Sequence, residues 1–163
     1  MRAHLVVVGS LHPANDAQVA ALILTGTPVV RLRATDEEAA DRCVTDVASA
    51  FAEHRTVCLL APLRDTPVDP EWIADALGIV VQRSATCFDG LVATGGDTTR
   101  RIVDALDVNS LDLAGEIEPE IPCGVLNSSA PERAFATKAG GFRDADTLLR
   151  CVERLRHPVE QRP

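Results

Sequence analysis

The stretch from Leu91 to Ile102 constrains the fold more than any other part of this sequence. Leu91–Thr94 is a short apolar run, which is typical of a buried strand. The pair Gly95-Gly96 follows; glycines permit positive φ angles and let another group approach the backbone closely. Asp97, Thr98 and Thr99 can each cap the start of a helix, and we expect one of them to do so; the helix then continues through Ile102 at helical spacing.

A strand that leads through glycines into a helix gathers backbone N–H groups at the positive end of the helix dipole. This arrangement favours an anion site, and phosphate is the usual anion. The alternative is a tight turn that binds no ligand, since strand–glycine–helix turns are common. The stretch alone leaves both interpretations open.

Similar strand–helix units precede this stretch. Leu5–Val8 is an apolar run ending in Gly9-Ser10, and a polar turn and a helix follow it. Pro28–Leu32 and Thr56–Leu60 are predicted to be the next two strands. A T-x-x-E capping box at Thr35 and Glu38 predicts the start of the second helix, and Asp69-Pro70 predicts the start of the third.

The pattern changes after Leu106, where short extended segments are separated by prolines rather than by helices. These segments are Leu111–Ile117, Gly124–Leu126 and Phe135–Thr137, and they indicate an antiparallel meander. A closing helix follows. We expect one domain over residues 1–163: a three-layer α/β/α sandwich with a mixed, mostly parallel sheet and an antiparallel meander near the C-terminus.

Composition excludes several classes of function. The formal net charge of −8 argues against a nucleic-acid-binding protein. No apolar run approaches the ~20 residues that a membrane span needs, and the N-terminus is predicted to be a strand rather than a signal peptide. Five scattered cysteines indicate buried thiols in a reducing, cytoplasmic setting. No histidine has the spacing of a metal site.

The basic residues are nearly all arginine, and Lys138 is the only lysine. A lysine ammonium suits a phosphate oxygen, although chance also explains a single lysine. If Lys138 lies at the mouth of a crevice, its replacement should leave folding almost unchanged.

Ser10, the Gly95-Gly96 pair and the Gly140-Gly141 pair after Lys138 all follow strands. In a parallel sheet these turns share one edge, where amides, a hydroxyl and an ammonium suit a polyphosphate. The chain has neither a P-loop motif nor a G-x-G-x-x-G fingerprint.

These motifs resemble the C-terminal, nucleotide-binding domain of the four-carbon acid sugar kinases. The resemblance rests on Val8-Gly9-Ser10, Gln18, the segment Leu91–Thr98 and the segment Thr137–Phe142, and it covers nearly the whole chain. It implies that Ser10, the four residues Gly95, Gly96, Asp97 and Thr98, and Gly140 contact ATP. With Lys138 and Gly141 they form the predicted site, which takes ATP with Mg²⁺.

The family's full proteins also have an N-terminal domain that binds threonate- or erythronate-like acids and carries an Asp-Asp-x-Thr-Gly motif. That motif is expected to supply the catalytic carboxylate, and nothing in this chain matches it. The expected partners are therefore ATP or ADP, an acid-sugar-binding domain or chain, and a second copy in a homo-oligomer. Arg143 also departs from the family, which has glycine there; it would either crowd the turn or add a cation.

Three functions remain open at this point. The chain is the phosphoryl-donor half of a kinase, a degenerate nucleotide- or phosphate-binding module that senses or assembles, or a stand-alone enzyme for a small phosphorylated metabolite. In the last case Asp97 is the candidate acid or base, although a helix-capping role explains Asp97 equally well.

Overall fold

In the computed structural model of the protein, residues 2–10, 12–33, 37–140 and 144–158 are described. Their helices and strands, in chain order, are β1 (His4–Val8), α1 (Ala14–Leu24), β2 (Val29–Arg31), α2 (Ala39–Glu53), β3 (Thr56–Leu60), α3 (Pro70–Arg83), β4 (Gly90–Thr94), α4 (Gly96–Ala105), β5 (Val108–Glu118), β6 (Ile121–Ser128), β7 (Arg133–Lys138) and α5 (Thr147–Arg156). None of the helices in these ranges is long and apolar enough to cross a membrane.

The strands form a seven-stranded sheet in the order β2-β3-β1-β4-β7-β6-β5. β1 pairs in parallel with β3 and β4, β3 pairs in parallel with β2, and β4 pairs in parallel with β7. β5, β6 and β7 pair in antiparallel. This confirms the expected α/β class, the mostly parallel sheet and the antiparallel meander.

The register brings three strand ends to one edge of the sheet. Val8 lies opposite Thr94, and Thr94 lies opposite Lys138. The two strands that follow β1 in the chain, β2 and β3, lie on one side of β1 in the sheet. The chain then crosses to β4, which lies on the other side of β1. In open α/β sheets such a reversal leaves a crevice outside the carboxyl ends of the strands.

Two apolar cores cover the two faces of the sheet. On one face α2, α3 and α4 pack together over side chains such as Leu5, Val7 and Leu59. On the other face α1 and α5 pack over Val6 and Cys58. Successive strand residues point to opposite faces, so strands that are apolar throughout are buried on both sides.

The predicted helix starts have mixed outcomes. The Asp69 prediction is confirmed, because its carboxylate accepts a hydrogen bond from the Glu71 amide at 2.9 Å and Pro70 is the first helical residue. The helix α2 begins at Ala39 with Glu38 as its N-cap residue, and the predicted capping box stays a prediction because it also needs Thr35. Thr35 lies outside the described residues.

The prediction that Asp97, Thr98 or Thr99 caps α4 is wrong. The helix begins at Gly96, with Gly95 as the N-cap residue at φ +92°, and no side chain caps it. The cause is the left-handed backbone of Gly95, which starts the helix before the polar residues are reached. Asp97, Thr98 and Thr99 therefore lie in the first turn of α4. The amide groups of this turn face the edge of the sheet, and no side chain accepts a hydrogen bond from them as a cap.

Candidate functional site

The carboxyl ends of β1, β4 and β7 bring two of the predicted glycine turns against Ser10. A Cβ atom placed on Gly140 would lie 2.3 Å from Ser10 Oγ, and one placed on Gly95 would lie 3.4 Å from the Ser10 amide nitrogen. The Gly95 amide donates a hydrogen bond to the Lys138 carbonyl at 3.2 Å. Ser10 therefore lies between the two turns, in the crevice expected from the strand order.

The β1–α1 turn also packs directly against the start of α4. A Cβ atom on Gly9 would lie only 2.0 Å from Thr98 Oγ1, so no other residue fits there without a backbone shift. Thr98 is buried, and Asp97 is exposed. The sequence contained Gly9 only as part of the Val8-Gly9-Ser10 run and did not reveal this contact.

Lys138 does not lie at the mouth of the crevice. It is only 2% exposed, and its ammonium donates hydrogen bonds of 3.2 Å each to Asn15 Oδ1 and to the carbonyls of Ala139 and Gly140. Desolvation by burial lowers the pKa of the Lys138 ammonium below its ordinary value. The condition under which its loss was expected to leave folding almost unchanged, a position at the mouth of the crevice, is therefore not met.

Asn15 joins Ser10 to Lys138, a connection that the sequence pattern did not reveal. It is 2% exposed, and its Nδ2 group donates a hydrogen bond of 3.1 Å to the Ser10 carbonyl while Oδ1 accepts from Lys138. Ser10, Asn15, Lys138 and Gly140 thus form one hydrogen-bonded chain of contacts, which we call the turn clamp. The sequence predicted only a polar turn and a helix after Ser10, whereas Asn15 lies in the first turn of α1.

The rest of the predicted site is only partly described. Gly141 and Arg143 lie outside the described residues, so their predicted roles stay predictions. Asp97 is the one acidic residue of the first turn of α4. Over the described ranges, no group of three or more His, Cys, Asp or Glu side chains forms a resident metal site. The edge therefore offers amide, hydroxyl and helix-dipole groups, which suit an anion.

Residues 5–148 match the family model described as a nucleotide-binding C-terminal domain. The chain belongs to this family. The match begins at Leu5 in β1, covers β2 to β7 in full and ends at Leu148 in the first turn of α5, so it includes the edge at which Ser10, Gly95 and Gly140 meet.

Curated relatives of the chain include a D-threonate kinase and a 3-oxo-tetronate kinase. A D-threonate kinase of Bordetella bronchiseptica is 33% identical over 165 residues, which cover 93% of this chain and 40% of the relative. A 3-oxo-tetronate kinase of Pseudomonas savastanoi pv. phaseolicola is 28% identical over 167 residues, with 93% and 38% covered. The chain thus spans about two fifths of their length, and the resemblance to the C-terminal domain of these kinases is confirmed.

Solved structures agree with the fold. A Bordetella bronchiseptica protein, solved as a domain-swapped dimer with bound citrate and described as a domain of unknown function, superposes with a TM-score of 0.84 at 31% identity. The superposition covers 95% of this chain and 41% of that one. A Haemophilus influenzae protein has a TM-score of 0.73 at 15% identity, a likeness that shows the fold alone.

Proposed function

We propose that this chain binds ATP in the crevice and supplies the phosphoryl-donor half of a kinase for threonate- or tetronate-like sugar acids. The observation that supports this most strongly is the convergence of Ser10 and Gly140 on the uncapped first turn of α4. The family match supports a nucleotide ligand, and the names of the curated relatives support a threonate- or tetronate-like acceptor.

Phosphoryl transfer depends mainly on positioning and on electrostatic stabilisation, which is what this edge provides. The amides of the first turn of α4 and the Ser10 hydroxyl are placed to donate to phosphate oxygens, and the helix dipole adds positive potential. Mg²⁺ enters as part of the Mg·ATP substrate and is held chiefly by the phosphates. Asp97 is the carboxylate nearest in the chain to those amides, and we assign it an outer contact to this ion.

The acceptor hydroxyl belongs to the other half of the reaction. By resemblance, the carboxylate that deprotonates or orients it lies on an acid-sugar-binding domain, which this chain would meet either in one polypeptide or as a separate partner. This chain alone should therefore bind nucleotide without phosphorylating D-threonate. Steady turnover of D-threonate by this chain alone, in a coupled ADP-release assay, would contradict this division of roles.

A pair of glycine variants tests the nucleotide site. Gly95 and Gly26 both have positive φ angles, of +92° and +84°, but Gly26 lies at the end of α1 and has no neighbour within 4 Å of a Cβ atom. Alanine at either position strains the backbone by about 1–2 kcal/mol. Only Gly95→Ala should weaken ADP binding in calorimetry, because the strain there falls on the N-cap residue of α4, directly before the amides of its first turn. Equal loss of affinity in both variants would attribute the effect to stability, and undetectable binding by the wild type at millimolar ADP would refute the proposal.

A further inference from the structure

A cavity of about 410 Å³ opens beside the crevice, between α1 and the segment after β3. This volume lies within the range of roughly 300–1,000 Å³ that is typical of small-molecule sites. One wall is made by Val19, Ala20 and Ile23 of α1, and the other by Leu60, Ala61, Pro62 and Leu63.

The cavity is continuous with the crevice. Ser10 and Asn15 line it, and both also belong to the turn clamp. β3 pairs with β1 on the side away from β4, so the cavity and the glycine turns lie on either side of Ser10. An extended ligand with phosphate groups at Gly95 and Gly140 can therefore continue past Ser10 into the cavity.

The walls favour a flat apolar group. Ile23 and Leu63 are 53% and 61% exposed although they belong to the two walls of one cavity, so a ligand between them would remove apolar surface from water. Arg31 also lines the cavity, and its guanidinium is held by a hydrogen bond of 2.9 Å to the Ala61 carbonyl. A planar guanidinium fixed in this way can stack on or hydrogen-bond to an aromatic heterocycle.

A sugar acid fits these walls poorly. It carries hydroxyl groups along its carbon chain. Asp16, Arg31, Arg64 and Asp65 also line the cavity, but hydroxyls that face the two aliphatic walls would lack hydrogen-bond partners, which is costly. A nucleobase has apolar faces and polar edges. Its edges would meet polar groups at the margin of the cavity, where Arg64 forms an ion pair with Asp16.

We propose that this cavity holds the heteroaromatic base of the nucleotide, so that the nucleotide crosses the end of β1 at Ser10. The inference rests on the proposed nucleotide-binding function and adds where the base lies. If the base lies here, Ala20, Ile23 and Leu63 determine the affinity for the base. None of these three residues contributes to phosphate binding.

Calorimetry with two probes separates the base from the phosphates. ADP carries both parts, whereas inorganic tripolyphosphate carries no base. Ala20→Leu narrows the cavity from an exposed helix position, and Ala17→Leu places the same side chain on an exposed position of α1 outside the cavity. Ala20→Leu should weaken ADP binding about tenfold and change tripolyphosphate binding by less than about twofold, with Ala17→Leu leaving both unchanged.

Ile23→Ser, which removes part of one wall without filling the cavity, should give the same selective loss. The inference is overturned if either variant of the wall affects ADP and tripolyphosphate equally, or affects neither. It is also overturned if D-threonate binds to the wild type and Ala20→Leu abolishes that binding, since the cavity would then hold the acid. If wild-type protein binds neither phosphate probe, the proposed nucleotide function itself fails, which is a different result from a loss of base selectivity.

Discussion

Replacing Lys138 by methionine tests whether the turn clamp holds the crevice together. Methionine keeps most of the buried volume and removes three hydrogen bonds of 3.2 Å each. The Ala139 carbonyl belongs to an exposed residue and can turn to water, but Asn15 is buried, so its Oδ1 atom would lose its donor. An unsatisfied buried acceptor costs about 1–3 kcal/mol, and relief from burying the ammonium offsets part of the total loss.

We therefore expect Lys138→Met to lower the free energy of unfolding by about 2 kcal/mol, which corresponds to a Tm decrease of roughly 4–8 °C for a chain of this size. Urea and thermal unfolding, followed by circular dichroism, measure both quantities. Nucleotide affinity should fall as well, because the Gly140 turn is no longer tied to the β1–α1 turn. A Tm within about 1 °C of the wild type would refute the clamp.

A double-mutant cycle with Asn15→Leu distinguishes the clamp from direct contact between Lys138 and phosphate. If the two residues act together, the losses of ADP affinity in Lys138→Met and Asn15→Leu should be far from additive in the double variant. If Lys138 instead binds phosphate directly, Asn15→Leu should leave ADP affinity nearly unchanged when it is measured under conditions in which the variant is folded.

Two further predictions concern packing and pH. Gly9→Ala should destabilise the protein by about 1–3 kcal/mol and weaken ADP binding, because its methyl group overlaps buried Thr98 and separates two turns of the crevice; equal stability of Gly9→Ala and wild type in urea would contradict this packing. Desolvation by burial lowers the pKa of His4 below 6.5, and nearby Arg156 acts in the same direction while Asp89 opposes it. The unfolded chain therefore takes up the proton first, and wild-type stability should fall as the pH drops below about 6.5. His4→Leu should lose this part of the pH dependence in urea unfolding at pH 7.5, 6.5 and 5.5, and an unchanged dependence would show that other groups cause it.

The sequence predicted the fold well because apolar strand runs and glycine turns are local signals. Leu91–Thr94 followed by Gly95-Gly96 was enough to predict β4, its turn and α4, and the order of strand–helix units predicted the mostly parallel sheet. The meander was predicted from its prolines, although β5 begins at Val108, three residues before the predicted start.

Side-chain direction was the part that the sequence did not determine. Asp97–Thr99 has the composition of a helix cap, yet a left-handed Gly95 makes these residues the first turn instead. Lys138 is of a residue type that often binds phosphate at a surface, but it ends a strand whose pleat points it toward Asn15. The two residues are 123 positions apart in the chain. Contacts at such separations depend on how two strands are placed in the sheet, and no local pattern contains that information.

The position of β7 has a consequence for the order of events during synthesis. It is the last strand of the described chain, yet it occupies the middle of the sheet between β4 and β6. A nascent chain that ends before Arg133 has its parallel and antiparallel halves without the strand that joins them, and it also has no Gly140 turn. The proposed nucleotide binding should therefore begin only when the segment through Gly140 has left the ribosome, which makes the ligand a reporter of the completed sheet rather than of early folding.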